Sequence, residues 1–201
     1  MNGKAGSVQR AVLNVGGNNK DIRIPSHFDG WRHDLLDIDP SGNPEVLCDA
    51  RKMTTLEEAG YDAIYCSHNL EHFYAHEVPA VLEGFRHVLK EGGFAEIRVP
   101  DIDQIVREMA KKGLDIEDPL YESPNGPITA KDMIYGWGDQ IAASGNDFFA
   151  HKTGFTPKSL GAYIRHSGFE PVFTGVGPFE VRALAFKGKP SDAYRALFKL
   201  P

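Results

Sequence analysis

Short apolar runs alternate with longer stretches of helical period along this chain, and that rhythm restricts its fold more than any single motif does. Ala11-Val12-Leu13-Asn14-Val15 is closed by Gly16-Gly17-Asn18-Asn19, residues 34–38 end at Asp39-Pro40, and residues 45–48 end at Asp49. Residues 62–66 run into a histidine-rich stretch. From there the spacing changes: Val78, Val81, Leu82, Phe85, Val88 and Leu89 recur as one face of a helix, which Glu91-Gly92-Gly93 stops. Residues 94–99 read as a fifth strand and residues 102–112 as a second helix. Near the end, Thr156-Pro157 supplies an N-cap and a first-turn proline for a helix reaching His166. Two last strands, at 171–174 and 181–186, flank Gly175-Val176-Gly177-Pro178 as an antiparallel hairpin. Strands alternating with helices bury both faces of a sheet, which predicts an α/β chain with a mostly parallel sheet.

Composition narrows the partners. The 201 residues, 41% hydrophobic and 25% charged, suit one domain with one sizeable core spanning 1–201. A net charge of -6 without a basic run argues against nucleic acid. No apolar run approaches the roughly 18 residues of a membrane span, and the start MNGKAGSVQR lacks a signal-peptide core, so no membrane and a cytoplasmic location are expected. Cys48 and Cys66 lie in strand-like runs and read as buried thiols rather than a disulfide framework. One segment breaks the rhythm: residues 113–130, with Pro119, Pro124, Gly126 and Pro127, read as an irregular insertion placed to cover an acceptor pocket. Residues 131–143 then read as one helix, weakened by Gly136 and Gly138.

Open parallel sheets bind ligands beyond the carboxyl ends of their strands. At the first such end, Gly16 and Gly17 let the backbone approach a ligand closely. At the second, Asp37 lies 21 residues beyond Gly16 (37 minus 16), close to the usual offset for a carboxylate that holds a ribose diol. At the third, Asp49-Ala50 stands where a carboxylate can meet an exocyclic amine. In this order and spacing the three describe an adenosine site. A dinucleotide is disfavoured, because Asn18-Asn19-Lys20 brings no third glycine and Pro25 falls where a helix should be running. The chain also lacks a G-x-x-x-x-G-K-[ST] loop, a G-x-S-x-G elbow and a Tyr-x-x-x-Lys pair.

The stretches Val12-Leu13-Asn14-Val15-Gly16-Gly17, Leu36-Asp37-Ile38-Asp39-Pro40, Cys48-Asp49-Ala50, Tyr61 through His72 and Val88-Leu89-Lys90-Glu91-Gly92-Gly93 resemble, in order, the motifs of class I S-adenosylmethionine-dependent methyltransferases, closest to their small-molecule, type 11-like branch. The resemblance covers residues 11–101, and the late Gly168-Phe169 also fits. It implies a Rossmann-like, mostly parallel seven-stranded sheet with helices on both faces and an antiparallel strand at the C-terminal end. It further implies S-adenosylmethionine as cofactor and methyl transfer to a small-molecule or glycan-linked acceptor. By the same resemblance, Gly16 and Gly17 face the methionine part, Asp37 holds the ribose hydroxyls and Ile38 packs on the adenine. Asp49, with Ala50, meets the adenine amine, and Ser67 and His68 lie beside the sulfonium. Asn14 stands where the family has an acidic residue, Asn18 where a second glycine is common, and the helix after the first strand is shortened or lost. These two asparagines complete the expected cofactor set. The altered loop also raises a different reading, a non-catalytic binding or regulatory module on the same fold.

The stretch CSHNLEHFYAH contains H-x-x-E-H, the pattern of an inverted zinc hydrolase. His68, however, follows the strand 62–66 directly and falls in the turn before a helix settles, out of register with His72. No metal is therefore expected. His68 is instead the first candidate for a catalytic base and His151, on the loop before the last helix, the second. Tyr135 and Trp137 read as pocket lining or core. A monomer and a homodimer both stay open.

Overall fold

The structure is a computed structural model that describes residues 9–124 and 126–201. Residues 1–8, which carry most of the start read as lacking a signal core, lie outside the described part. The strands are β1 (Ala11–Val15), β2 (Arg32–Asp37), β3 (Val46–Leu47), β4 (Tyr61–Ser67), β5 (Leu89–Pro100), β6 (Pro119–Ser123), β7 (Gly126–Thr129), β8 (Val172–Gly177) and β9 (Glu180–Phe186). The helices are α1 (Val78–Val88), α2 (Ile102–Lys112), α3 (Ala130–Tyr135), α4 (Gly138–Ser144), α5 (Pro157–His166) and α6 (Asp192–Phe198).

Seven strands form one sheet in the order β3-β2-β1-β4-β5-β9-β8. From β3 through β5 all neighbours are parallel, whereas β9 runs antiparallel to both β5 and β8. Strand order reverses between β1 and β4, and a crevice opens there beyond the strand ends. Every residue of β1 is buried, as a central strand covered on both faces requires.

Alternation along the strands divides the core. Leu13, Val15, Ile64, Cys66, Ile97 and Val99 meet α1 and α5, whose contacts are Val81, Phe85, Leu160 and Ile164 among others. Phe85 is fully buried, and its truncation to alanine would cost about 3–5 kcal/mol. The opposite residues, Val12, Ala63, Tyr65 and Phe94, meet an aromatic layer of Phe28, Tyr194 and Phe198. Helices thus lie on both faces, but the second carries only the short α6 and a single turn at Ser26–Phe28. Among the described residues no α-helix connects β1 to β2, in keeping with Pro25 and the missing glycines.

Two local expectations are corrected. The expected single helix over 131–143 is split into α3 and α4 by Gly136, whose φ of 89° is left-handed. A Cβ there would lie 2.0 Å from the Phe149 carbonyl oxygen, so only glycine lets the two segments meet. The segment 113–130 is not wholly irregular: β6 and β7 pair as a hairpin whose Leu120 packs with Ile105 of α2 and Ala130. At α5 the expected cap is present, as Thr156 and Ser159 exchange a capping box. Among the described residues, no helix is long and apolar enough to cross a membrane.

Candidate active site

A cavity of about 620 Å³ opens at the carboxyl ends of β1, β2, β3 and β4. Asn14, Gly16, Gly17, Asn18, Asp37, Ile38, Asp49, Ala50, Ser67 and His68 all line it. None of the described residues of 113–130 lines it, whereas Asp147, Phe148, Phe149 and Lys152 do. Tyr135 and Trp137 stand outside it, both more than half exposed.

The floor is built from backbone. Gly16 takes a φ of 70°, and a Cβ on it would sit 2.0 Å from the Asn69 amide nitrogen. Gly17 lies as close over Asn14, which is buried beneath it. The loop then turns back at Asn18, itself at φ 61°, and the Asn18 N–H donates to Asp37 Oδ2 at 3.1 Å. The Asp39 N–H donates to Asp37 Oδ1 at 3.0 Å. A carboxylate has about four acceptor positions, so Asp37 keeps room for further donors from the cavity.

Asp49 is differently placed. The Arg51 guanidinium spans both its oxygens, with Nη2 to Oδ2 at 2.7 Å, and the Arg51 N–H adds a bond of 3.0 Å to Oδ1. These bonds, from the guanidinium first, hold the Asp49 carboxyl below its ordinary range against the opposing effect of burial. Arg51 Nη1 reaches on to Glu77 Oε1 at 2.5 Å. A ligand amine would therefore share Asp49 with Arg51, a partner that sequence reading missed although it lies two residues away.

Elsewhere along the cavity β4 finishes in Ser67, and His68 follows at a left-handed φ of 51°. That turn sets the His68 imidazole between two carboxylates, Nδ1 at 3.5 Å from Glu71 Oε1 and Nε2 at 3.4 Å from Glu180 Oε2. Burial opposes its charge, but Glu180 and Glu71 prevail and raise it to about 9. Both ring nitrogens thus face carboxylates, which favours the protonated ring. Glu71 is 1% exposed; burial opposes its charge too, and the adjacent His68 keeps its carboxyl below the ordinary range.

His151 does not line the cavity but lies behind it, with Nε2 3.9 Å from Glu71 Oε1 and Nδ1 2.9 Å from the Met133 carbonyl oxygen. Burial pushes its imidazole down. The structure therefore gathers His68 and His151 around one carboxylate that sequence reading passed over. Glu180 carried no sequence signal, because its place beside His68 depends on the turn between β8 and β9.

The strand order and the position of the cavity define the class: an α/β fold with its ligand crevice at the β1/β4 reversal. Residues 35–97 match the model of the family described as a methyltransferase domain. That match spans about a third of the chain, and the sheet around it has the Rossmann-like methyltransferase fold. Its fold is similar to that of a SAM dependent methyltransferase from Archaeoglobus fulgidus, at 15% identity and TM-score 0.55, covering 88% of this chain and 86% of the other. An O-methyltransferase family protein from Burkholderia thailandensis is similar at 12% identity and TM-score 0.57, covering 90% of this chain; this chain spans about half, 52%, of that one. The 1,6-didemethyltoxoflavin-N1-methyltransferase of Burkholderia thailandensis, solved with 1,6-didemethyltoxoflavin and S-adenosylhomocysteine bound, has 17% identity and TM-score 0.53, covering 90% of this chain and 72% of its own. No curated protein gives a significant sequence match.

Proposed function

We propose that the cavity binds S-adenosylmethionine and that the chain transfers its methyl group to a small-molecule or glycan-linked acceptor. The observation that carries this reading is the convergence of the loops after β1, β2, β3 and β4 on one cavity, with glycine backbone and the Asp37 carboxylate facing a common space. The residues fit such a ligand: a Cβ would fill the approach at Gly16, and Asp37 retains acceptor positions for a ribose diol. Ile38, 43% exposed, offers an apolar face to the adenine, whose amine shares Asp49 with Arg51. Ser67 and His68 occupy the end nearest the reacting group.

When bound, the cofactor supplies a methyl group on a sulfonium, activated for in-line displacement. The chain's own part is alignment and cover. Phe148 and Phe149 line the cavity, and His68, held between Glu71 and Glu180, is an oriented donor beside it. A small acceptor is supported by the ligand of the Burkholderia thailandensis N1-methyltransferase and by the size of the cavity.

Calorimetry with S-adenosylmethionine and S-adenosylhomocysteine tests the reading, and absence of heat with both refutes it. If both bind but label from methyl-labelled cofactor reaches no acceptor in an extract, the non-catalytic binding module becomes the better account.

A further inference from the structure

We infer that Glu71, His72 and His151 form a binding site for a divalent transition metal ion, zinc being the ion their donors suit best. One carboxylate oxygen of Glu71 and one ring nitrogen of each histidine lie within 4.8 Å of one another. The site is distinct from the adenosine end of the cavity, and its existence does not depend on methyl transfer.

Three observations converge on it. Glu71 is 1% exposed, and neither of its carboxylate oxygens has a hydrogen-bond partner. The protonated His68 ring stands 3.5 Å from Oε1, but among the described residues no hydrogen-bond donor reaches Oε2, and a carboxylate buried so deeply favours a further cation. The nearest groups are His68 Nδ1 at 3.5 Å and His151 Nε2 at 3.9 Å, both longer than a hydrogen bond of this type.

His151 is oriented as a ligand. Its Nδ1 lies 2.9 Å from the Met133 carbonyl oxygen, a bond that takes the Nδ1 hydrogen and leaves the Nε2 lone pair turned toward Glu71. The Lys152 and Thr153 N–H groups both donate to the Glu71 carbonyl oxygen, at 2.8 and 3.1 Å, and so pin this loop against Glu71.

His72 has Nδ1 3.0 Å from the Ala150 carbonyl oxygen and Nε2 3.1 Å from that of His68. Both nitrogens face carbonyl oxygens, so ligation by His72 gives up one of these contacts while the other holds the ring, the usual support of a metal-bound histidine.

Two imidazoles and one carboxylate suit zinc, whereas magnesium and calcium favour oxygen donors throughout. Zinc bonds of about 2 Å place neighbouring ligand atoms about 3.3 Å apart. The 3.9 Å between His151 and Glu71 closes to this with a shift of well under 1 Å. Three protein ligands leave a fourth position, and His72, which lines the cavity, directs it there. The H-x-x-E-H spacing therefore points to the right segment with the wrong partner: His151 takes the place of His68, whose nitrogens face Glu71 and Glu180.

The test uses the full chain stripped with EDTA and titrated with zinc by calorimetry, then with cobalt for its ligand-field absorption. One equivalent should bind, cobalt should give bands of a low-coordinate nitrogen and oxygen site, and magnesium should not bind. His151→Ala and His72→Ala should each weaken zinc by at least about tenfold, while His76→Ala, at an exposed position, should bind as the parent does. No stoichiometric zinc in the parent, or zinc held equally by the His151→Ala protein, overturns the inference. Should His151→Ala not fold, the isosteric Glu71→Gln decides, since undiminished zinc binding by that folded variant overturns it as well. Titration with S-adenosylhomocysteine in EDTA reads the other end of the cavity, so failure of either proposal is seen separately.

Discussion

The two ends of the cavity are assembled by different routes. At the glycine–aspartate end, Gly16, Asp37 and Asp49 follow one another along the chain, each at or just beyond the end of a strand. At the histidine end, Glu71 gathers His68 from the end of β4, His151 from the loop before α5, and, through His68, Glu180 from the start of β9. The first arrangement is local and repeats with the strands, so mutations there act on the ligand through one loop at a time. The second depends on three distant segments meeting a buried carboxylate, and each of its members acts through the others.

The largest expected effect on this contrast comes from Gly16→Val. The left-handed φ of 70° and the contact with Asn69 should cost about 3 kcal/mol of stability and weaken S-adenosylhomocysteine by at least about 100-fold. Unchanged affinity by calorimetry would mean that the loop does not touch the ligand. Asp37→Ala should lose about 2 kcal/mol of binding, roughly 30-fold, with a smaller loss of melting temperature as the Asn18 and Asp39 N–H groups lose their acceptor.

Arg51→Ala should lower stability by about 1 kcal/mol in denaturant titrations. Asp49 is held below its ordinary range in the folded chain, so this contribution is present above the unfolded value of 3.8 and is lost as pH falls through the folded one. A difference between parent and variant that instead grows toward low pH would refute the assignment. The smallest effect is expected for Trp137→Ser. Its side chain is 57% exposed and outside the cavity, so stability should change by less than about 0.5 kcal/mol and ligand affinity by less than about twofold.

That Gly16, Asp37 and Asp49 share one cavity was legible because their signals are short-range. An apolar run closed by glycine or aspartate states both the strand and its end, and Asp37 shows its place by its distance from Gly16. The same holds for α1 and α5, whose periodic faces meet one side of the sheet. The other side was less legible, since Phe28, Tyr194 and Phe198 come from a single turn and a short helix with too few residues to display a period. The glycines at 136 and 138 weakened the helix over 131–143, but the full break was not legible for a similar reason: its cause is the Phe149 carbonyl, thirteen residues on (149 minus 136).

By itself, then, the order of residues determined a mostly parallel sheet with a crevice at its strand ends, because hydrophobic period and strand-end chemistry are local properties of a chain. Only the tertiary structure decided what the histidines do. A ring nitrogen's role depends on which atom faces it, and Glu180, Met133 and Ala150 reach those nitrogens only when β9 and the loop 147–153 are in place.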